Sequence, residues 1–273
     1  MRLWVNGHIV EDPYAPALAP LDHGVTVGDG VFETVKVVDG RPFAITRHLE
    51  RLLRSARGLG LPEPDLDDVR RGVTAVLGAW DQPTGRLRIT VTGGPAPLGS
   101  ERGDKGLTVV VALAELAGRL ESTAVTTVPW PRNERGALAG LKTTSYAENV
   151  LALAYAQERG STEALFANTV GNLCEGTGSN VFVVLGGDLY TPPLSAGCLA
   201  GVTRALVLEW CGGQEKDLPM SVLDEAEEVF LTSTTRDVQA VHTADGRAWR
   251  TPGPVTARTM AAFARSAAEL IDP

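Results

Sequence analysis

Lys142-Thr143-Thr144-Ser145-Tyr146-Ala147-Glu148-Asn149, followed by Glu175-Gly176-Thr177-Gly178-Ser179-Asn180-Val181-Phe182, is the stretch on which the reading of this chain turns. The first part reads as a lysine leading a short helix-like segment. The second reads as a carboxylate on a glycine-rich turn that runs into an apolar strand. An amine can condense with an aldehyde and leave again as a free base, and a carboxylate can keep a heterocyclic nitrogen protonated. The two together suit an aldehyde cofactor with a basic ring nitrogen, which describes pyridoxal phosphate. Either piece alone reads more simply as a surface lysine or an ordinary turn before a strand. Their order, and the pieces around them, reverse that preference.

The surrounding chain has 273 residues, 44% hydrophobic and 21% charged, enough to bury the core of one large domain or two modest ones. Its formal charge of −8, with no run of Lys or Arg, argues against a nucleic-acid partner. Met1 to Gly7 passes straight into a strand and turn, and no apolar run approaches the roughly 18 residues that span a bilayer. The expectation is a cytoplasmic protein without membrane contact. Cys174, Cys198 and Cys211 are odd in number and lack metal-ligand spacing, so they read as small core residues. His8, His23, His48 and His242 show no pairing at helical spacing, and no metal is expected.

Two segments are expected, 1–113 and 123–273, with 114–122 as linker. The first opens with a hairpin at Asn6-Gly7, continues through a β-branched run from Val31 to Val38, and turns again at Asp39-Gly40. Ile45, Leu49, Leu52, Leu53 and Ala56 recur at helical spacing until Gly58 and Gly60. A second helix is expected from Asp65 to Trp80, stopped by Pro83, followed by strands from Arg86 to Thr92 and Leu107 to Leu113. The second segment is expected to hold strands at Ala124–Val128, Ala164–Ala167, Asn180–Leu185 and Val229–Thr232, with helices at Ser145–Arg159, Val202–Cys211 and Val255–Leu270.

Five blocks in this order give the chain its resemblance: Gly28-Asp29-Gly30-Val31-Phe32-Glu33-Thr34, His48-Leu49-Glu50-Arg51-Leu52, the Lys142 segment, the Glu175 segment, and Gly201-Val202-Thr203-Arg204 with Thr232-Ser233-Thr234-Thr235. The chain resembles the class IV aminotransferases, the fold-type IV pyridoxal-phosphate enzymes, over nearly its whole length. The resemblance implies an α+β fold: a small N-terminal α/β domain and a larger C-terminal domain with a barrel-like sheet. It also implies a homodimer.

The family's roles fall on matching positions. Lys142 would hold pyridoxal phosphate as a Schiff base, and Glu175 would keep the ring nitrogen protonated. Arg51, the backbone of Val202 and Thr203, and Ser233 and Thr234 would bind the phosphate. From periodicity alone Arg51 reads as a solvated charge beside Glu50 and Arg54; the resemblance lifts it to a ligand. Tyr146 stands one residue nearer the lysine than the branched-chain enzymes' tyrosine, which contacts the ring's 3-oxygen. Thr34 would line the substrate side, and Arg86, Arg88, Arg132 and Arg135 are candidates for a substrate carboxylate.

Among the family's activities, the Lys142 segment and Thr232-to-Asp237 look most like chains assigned to 4-aminobenzoate synthesis, so 4-amino-4-deoxychorismate lyase is placed first. Glu33 speaks against it, since the best-known lyases have threonine there. A transaminase of branched-chain or D-amino acids is the alternative, although Gly93 stands where D-amino-acid aminotransferases place an arginine. An idle pyridoxal-phosphate binder is the distant third, since such a protein needs neither a reactive amine nor an electron sink.

Overall fold

In the computed structural model, which describes every residue except Ala79, Ala117 and Arg119, the chain divides into two units. The first comprises Met1–Ala117, Leu141–Tyr146 and Ile271–Pro273; the second comprises Gly118–Gly140 and Ala147–Leu270. The division is not a single cut, because Lys142 and the last three residues belong to the first unit.

That unit contains β1 (Arg2–Val5), β2 (His8–Val10), α1 (His23–Thr26), β3 (Gly30–Val38), β4 (Arg41–Pro42), α2 (Ile45–Leu59), α3 (Leu66–Leu77), β5 (Thr84–Thr92) and β6 (Thr108–Ala114). The strands form one antiparallel sheet in the order β2-β1-β6-β5-β3-β4. Asn6 and Gly7 both take positive φ, 43° and 95°, the geometry that lets a two-residue turn follow the twist of its strands. Alternation along β3, β5 and β6 sends Val31, Val35, Val37, Leu87, Ile89, Val91, Val111 and Leu113 to one face. Leu49, Leu52 and Ala56 of α2 and Val69, Val73 and Val76 of α3 pack against them. The other face presents Phe32, Thr34 and Lys36 opposite Thr90, Arg88 and Arg86.

The end of α2 falls within the expected glycines, and that of α3 comes earlier than expected. α2 runs through Gly58 and stops only at Gly60, which takes the left-handed conformation a helix terminus favours. Asp65 caps α3 by accepting the Asp67 N–H at 2.8 Å, and the helix ends at Gly78, well short of Pro83. Ala79, inside the expected 65–80 span, lies outside the described residues, as do Ala117 and Arg119 of the expected linker.

The second unit contains β7 (Ser122–Thr127), α4 (Ala147–Gln157), β8 (Glu163–Ala167), β9 (Leu173–Gly176), β10 (Asn180–Leu185), β11 (Asp188–Thr191), a 3₁₀ turn at Leu194–Ala196, α5 (Val202–Cys211), β12 (Gln214–Glu215), α6 (Val222–Glu225), β13 (Glu228–Ser233), β14 (Asp237–Ala244), β15 (Arg247–Ala248) and α7 (Pro254–Glu269). Its nine-stranded sheet runs β12-β11-β10-β13-β14-β7-β8-β9, with β15 on β14, and curls into a half-barrel. Val125, Leu165, Val181, Val183, Val229, Leu231 and Val241 fill one side of it. Phe182 and Phe230 stack at 4.9 Å between ring centres. The α+β class and its barrel-like sheet match the expectation.

The Lys142 segment is extended where a helix-like stretch was expected. Its backbone is taken up by β3: Phe32 N–H donates to the Lys142 carbonyl at 3.0 Å and Thr144 N–H to the Gly30 carbonyl at 2.8 Å. The helix starts only at Ala147. Glu175 likewise sits on β9, one residue before the turn on which it was expected. Among the described residues no helix is long and apolar enough to cross a membrane.

Candidate functional site

In the first unit the helix α2 buries a polar stripe. His48, Arg51 and Ser55 recur at i, i+3 and i+7, beside the apolar Leu49, Leu52 and Ala56. They face Glu33, which interrupts the valines of β3 and is completely buried. Arg51 grips the Glu33 carboxylate with two hydrogen bonds, Nε at 2.8 Å and Nη2 at 2.7 Å, and His48 Nδ1 lies 2.7 Å from the same group. Burial alone would raise the Glu33 pKa, but the Arg51 charge and hydrogen bonds, with those of His48, outweigh it and hold the carboxyl at about 2. Burial lowers the His48 pKa, and the charges of Arg51 and Lys142 push the same way against Glu33. Ser55 Oγ accepts the Lys142 backbone N–H at 3.1 Å, so the stripe also fixes the lysine's main chain.

The Lys142 side chain emerges over the opposite face of the sheet. Its Nζ lies 4.1 Å from the centre of the Phe32 ring and 5.9 Å from that of Tyr146, and the two rings meet edge to face at 5.3 Å. The Arg88 guanidinium lies over the same Phe32 ring at 3.5 Å. Strand register adds Lys36, Arg41 and Arg86 to this face, and no strand position on it carries an acidic residue. Lys142 and Arg88 meet at Phe32, and Lys36, Arg41 and Arg86 extend the same face as cations, in a chain whose net charge is −8. Such a field draws anions.

In the second unit Glu175 is held from two sides. Its Oε2 accepts the Leu199 N–H at 2.9 Å, and its Oε1 lies 3.4 Å from Arg132 Nε. Arg132 in turn pairs with Glu148 and stacks over Phe166 at 4.1 Å. The Leu199 carbonyl accepts from Asn180 Nδ2 at 2.9 Å, and Asn180 is the register partner of Thr232. Asn180 thereby knits together Glu175, the start of α5 and the Thr232-Ser233 strand end. At that start Gly201 precedes Val202 and Thr203, both buried, and a Cβ on Gly201 would overlap Asn180 Oδ1. The first N–H groups of a helix have no acceptor within it and favour an anion. Arg135 is exposed and pairs with Glu134.

The structure thus brings Lys142, Arg88, Tyr146 and Phe32 together in one unit, with Arg51 tied to Glu33. It brings Glu175, Arg132, Val202, Thr203 and Ser233 into one connected group in the other. Sequence reasoning missed Glu33 and His48 as partners of Arg51. The signal was present: an acid on the buried face of a valine-rich strand requires a cation or donors.

The profile of the amino-transferase class IV family matches residues 30–244. A Mycobacterium tuberculosis protein described as a bifunctional aminodeoxychorismate lyase / D-amino acid transaminase is 32% identical over 90% of this chain and 92% of its own length. A hypothetical aminotransferase from Mycobacterium tuberculosis in its PLP-bound form superposes with a TM-score of 0.87 at 29% identity, covering 97% of this chain and all of that one. A branched-chain aminotransferase from Thermoproteus uzoniensis with norvaline reaches 0.88 at 27% identity, over 97% and 94% of the two chains. The residues present fit pyridoxal phosphate chemically: an amine among aromatic rings, a half-buried carboxylate, and a helix start shaped for an anion. Matched over most of its length and equipped with these groups, the chain belongs to the aminotransferase class IV family and is a pyridoxal-phosphate-dependent enzyme.

Proposed function

We propose that the protein cleaves 4-amino-4-deoxychorismate to 4-aminobenzoate and pyruvate, using Lys142 as its proton-transferring amine. The observation that carries this reading is the cationic face of the first sheet. Arg86 and Arg88 are alternate residues of β5 on that face, about 7 Å apart along the strand, and Arg88 shares the Phe32 ring with Lys142. Two fixed cations at that spacing suit a substrate with two carboxylates, as this one has, better than a small amino acid with one. The sequence argument against the lyase also weakens. Glu33 points into the core toward Arg51, so the face that meets substrate is formed by Phe32 and Thr34.

In this reading pyridoxal phosphate supplies an electron sink for the carbanion formed at the substrate. Lys142 Nζ accepts the proton that leaves the substrate carbon and returns one later in the cycle. Arg51, the Val202 and Thr203 N–H groups, Ser233 and Thr234 would hold the phosphate, and Glu175 would hold a proton on the ring nitrogen. Tyr146, beside Lys142 and Phe32, would face the ring's 3-oxygen. Arg88, with Arg132 as the alternative, binds a substrate carboxylate, and Thr34 lines the same side. A homodimer in the cytoplasm is part of the proposal.

A second reading, transamination of D- or branched-chain amino acids, is favoured by the Mycobacterium tuberculosis relative, whose description joins lyase and D-amino acid transaminase. The deciding experiment supplies enzymatically generated aminodeoxychorismate and follows 4-aminobenzoate fluorescence with pyruvate in parallel. Equal yields of both, lost in Lys142→Ala, support the lyase. No product, with loss of the bound cofactor's colour on adding an amino acid, makes the protein a transaminase.

A further inference from the structure

We infer that the ion pair between buried Glu163 and half-buried Arg236 positions both cofactor-binding segments of the second unit, the turn after Glu175 and the Ser233-Thr234 turn. This rests on the cofactor roles proposed above. Glu163 opens β8 and is 2% exposed, and neither it nor Arg236 belongs to the groups expected to touch cofactor or substrate. Its Oε1 accepts the Thr177 N–H at 3.0 Å, the Thr177 hydroxyl, and the Ala164 N–H at 3.1 Å. Its Oε2 accepts the Ser179 hydroxyl at 3.0 Å and Arg236 Nη2 at 2.6 Å. Thr177 and Ser179 are the hydroxyl residues of the turn that joins Glu175 to Asn180, and the turn is closed by Gly176 N–H donating to the Ser179 carbonyl at 2.8 Å.

The other end of the pair reaches the second segment. Arg236 Nε donates to Ser233 Oγ at 3.1 Å, and Nη1 lies 3.5 Å from Gln239 Oε1. One carboxylate and one guanidinium therefore span from the β9–β10 turn to the β13–β14 turn. The planar fork of arginine matters here, since Nε and Nη2 serve Ser233 and Glu163 at once; a lysine offers a single ammonium. A pair bonded on both sides in this way fixes the geometry of what it touches, as groups behind metal ligands do.

The test is the double variant Glu163→Gln/Arg236→Gln, which removes both charges and leaves neither partner unpaired. Two readouts are taken: the thermal midpoint of the cofactor-free protein, and the affinity for pyridoxal phosphate from titration of the absorbance of the bound cofactor. The expected result is a midpoint near that of the unaltered chain with affinity reduced about tenfold or more, and a shifted absorbance maximum. Arg236→Lys, which keeps the charge and loses the fork, carries the same test if the double variant does not fold. Unchanged affinity and absorbance in a folded variant overturn the inference. Glu175→Gln run alongside separates the two ideas: if it leaves the absorbance unchanged, the proposed cofactor site itself fails; if it shifts the absorbance while the Glu163 and Arg236 variants do not, only the positioning role fails.

Discussion

Glu33→Gln probes the buried polar stripe most directly. The side chain keeps its shape but gives up its charge, so the Arg51 guanidinium, 5% exposed, loses the carboxylate it grips. In the folded protein the Glu33 pKa lies near 2 against an ordinary 4.5, and at about 1.4 kcal/mol per unit the charged form contributes about 3 kcal/mol of stability. A carboxyl lowered on folding contributes fully above its unfolded value and loses that contribution as pH falls toward the folded one. Taking both equilibria together, about 1 kcal/mol is gone by pH 4 and about 2 kcal/mol by pH 3. His48 acts in the same direction from below its ordinary 6.5, because burial holds the ring neutral while the unfolded chain takes up a proton. Glu33→Gln should lower stability at pH 7 by about 3 kcal/mol, in line with the cost of breaking a buried ion pair. It should also flatten the fall in stability between pH 5 and pH 3. Urea unfolding of the cofactor-free protein, followed by tryptophan fluorescence at each pH, measures both. A variant that keeps the original slope, or loses under about 1 kcal/mol at pH 7, would refute the assignment of that charge to folding stability.

Three further outcomes are expected. Gly201→Ala forces a methyl group against Asn180 Oδ1 and disturbs the start of α5, so pyridoxal phosphate should bind about tenfold or more weakly in a spectroscopic titration. Arg88→Ala removes a charge-assisted contact of about 1.5–3 kcal/mol and should raise KM about ten- to a hundredfold in the pyruvate assay, with kcat changed only a few-fold. Burial raises the Cys198 thiol to about 12 and the Cys174 thiol higher still, so iodoacetamide at pH 8 should leave both unmodified in the native protein and reach them only in urea.

Most strands and helices were legible because their patterns are local. Val31 to Val38 alternates, α2 repeats at i, i+3 and i+4, and Asn6-Gly7 and Asp39-Gly40 announce their turns. β9, β11 and β14 were not legible. They are short or mixed in composition, and their pairing is set by partners distant in the chain, as β14 lies between β13 and β7. The Lys142 segment misled for a related reason: Thr143, Thr144 and Ser145 are weak helix formers, and their stretch is taken up by backbone bonds to β3, more than a hundred positions earlier, before the helix starts at Ala147. In the site, residue type and order pointed to Lys142 and Glu175, because few side chains supply an amine or a carboxylate for such chemistry. Glu163 carries no motif, and the stretch that contains Arg236 gives no sign of its partners. What they do depends on which turns the fold sets beside them.

The start of α2 has a consequence for how the chain is made. Its N-cap residue, Ala44, has no side chain able to cap, and the acceptor comes from the far end of the sequence. Asp272 takes the Thr46 N–H at 2.9 Å and its hydroxyl at 2.6 Å, the Ile271 carbonyl takes the Ala44 N–H at 2.7 Å, and Arg47 Nε donates to the Pro273 carbonyl at 2.8 Å. A carboxylate at a helix start is worth about 1 kcal/mol, and it cannot act here until the chain has been synthesised through Asp272, more than two hundred residues after α2. The first unit must therefore wait on the ribosome: the helix that presents His48 and Arg51 stays frayed at its leading turn until residues 271–273 arrive to close it.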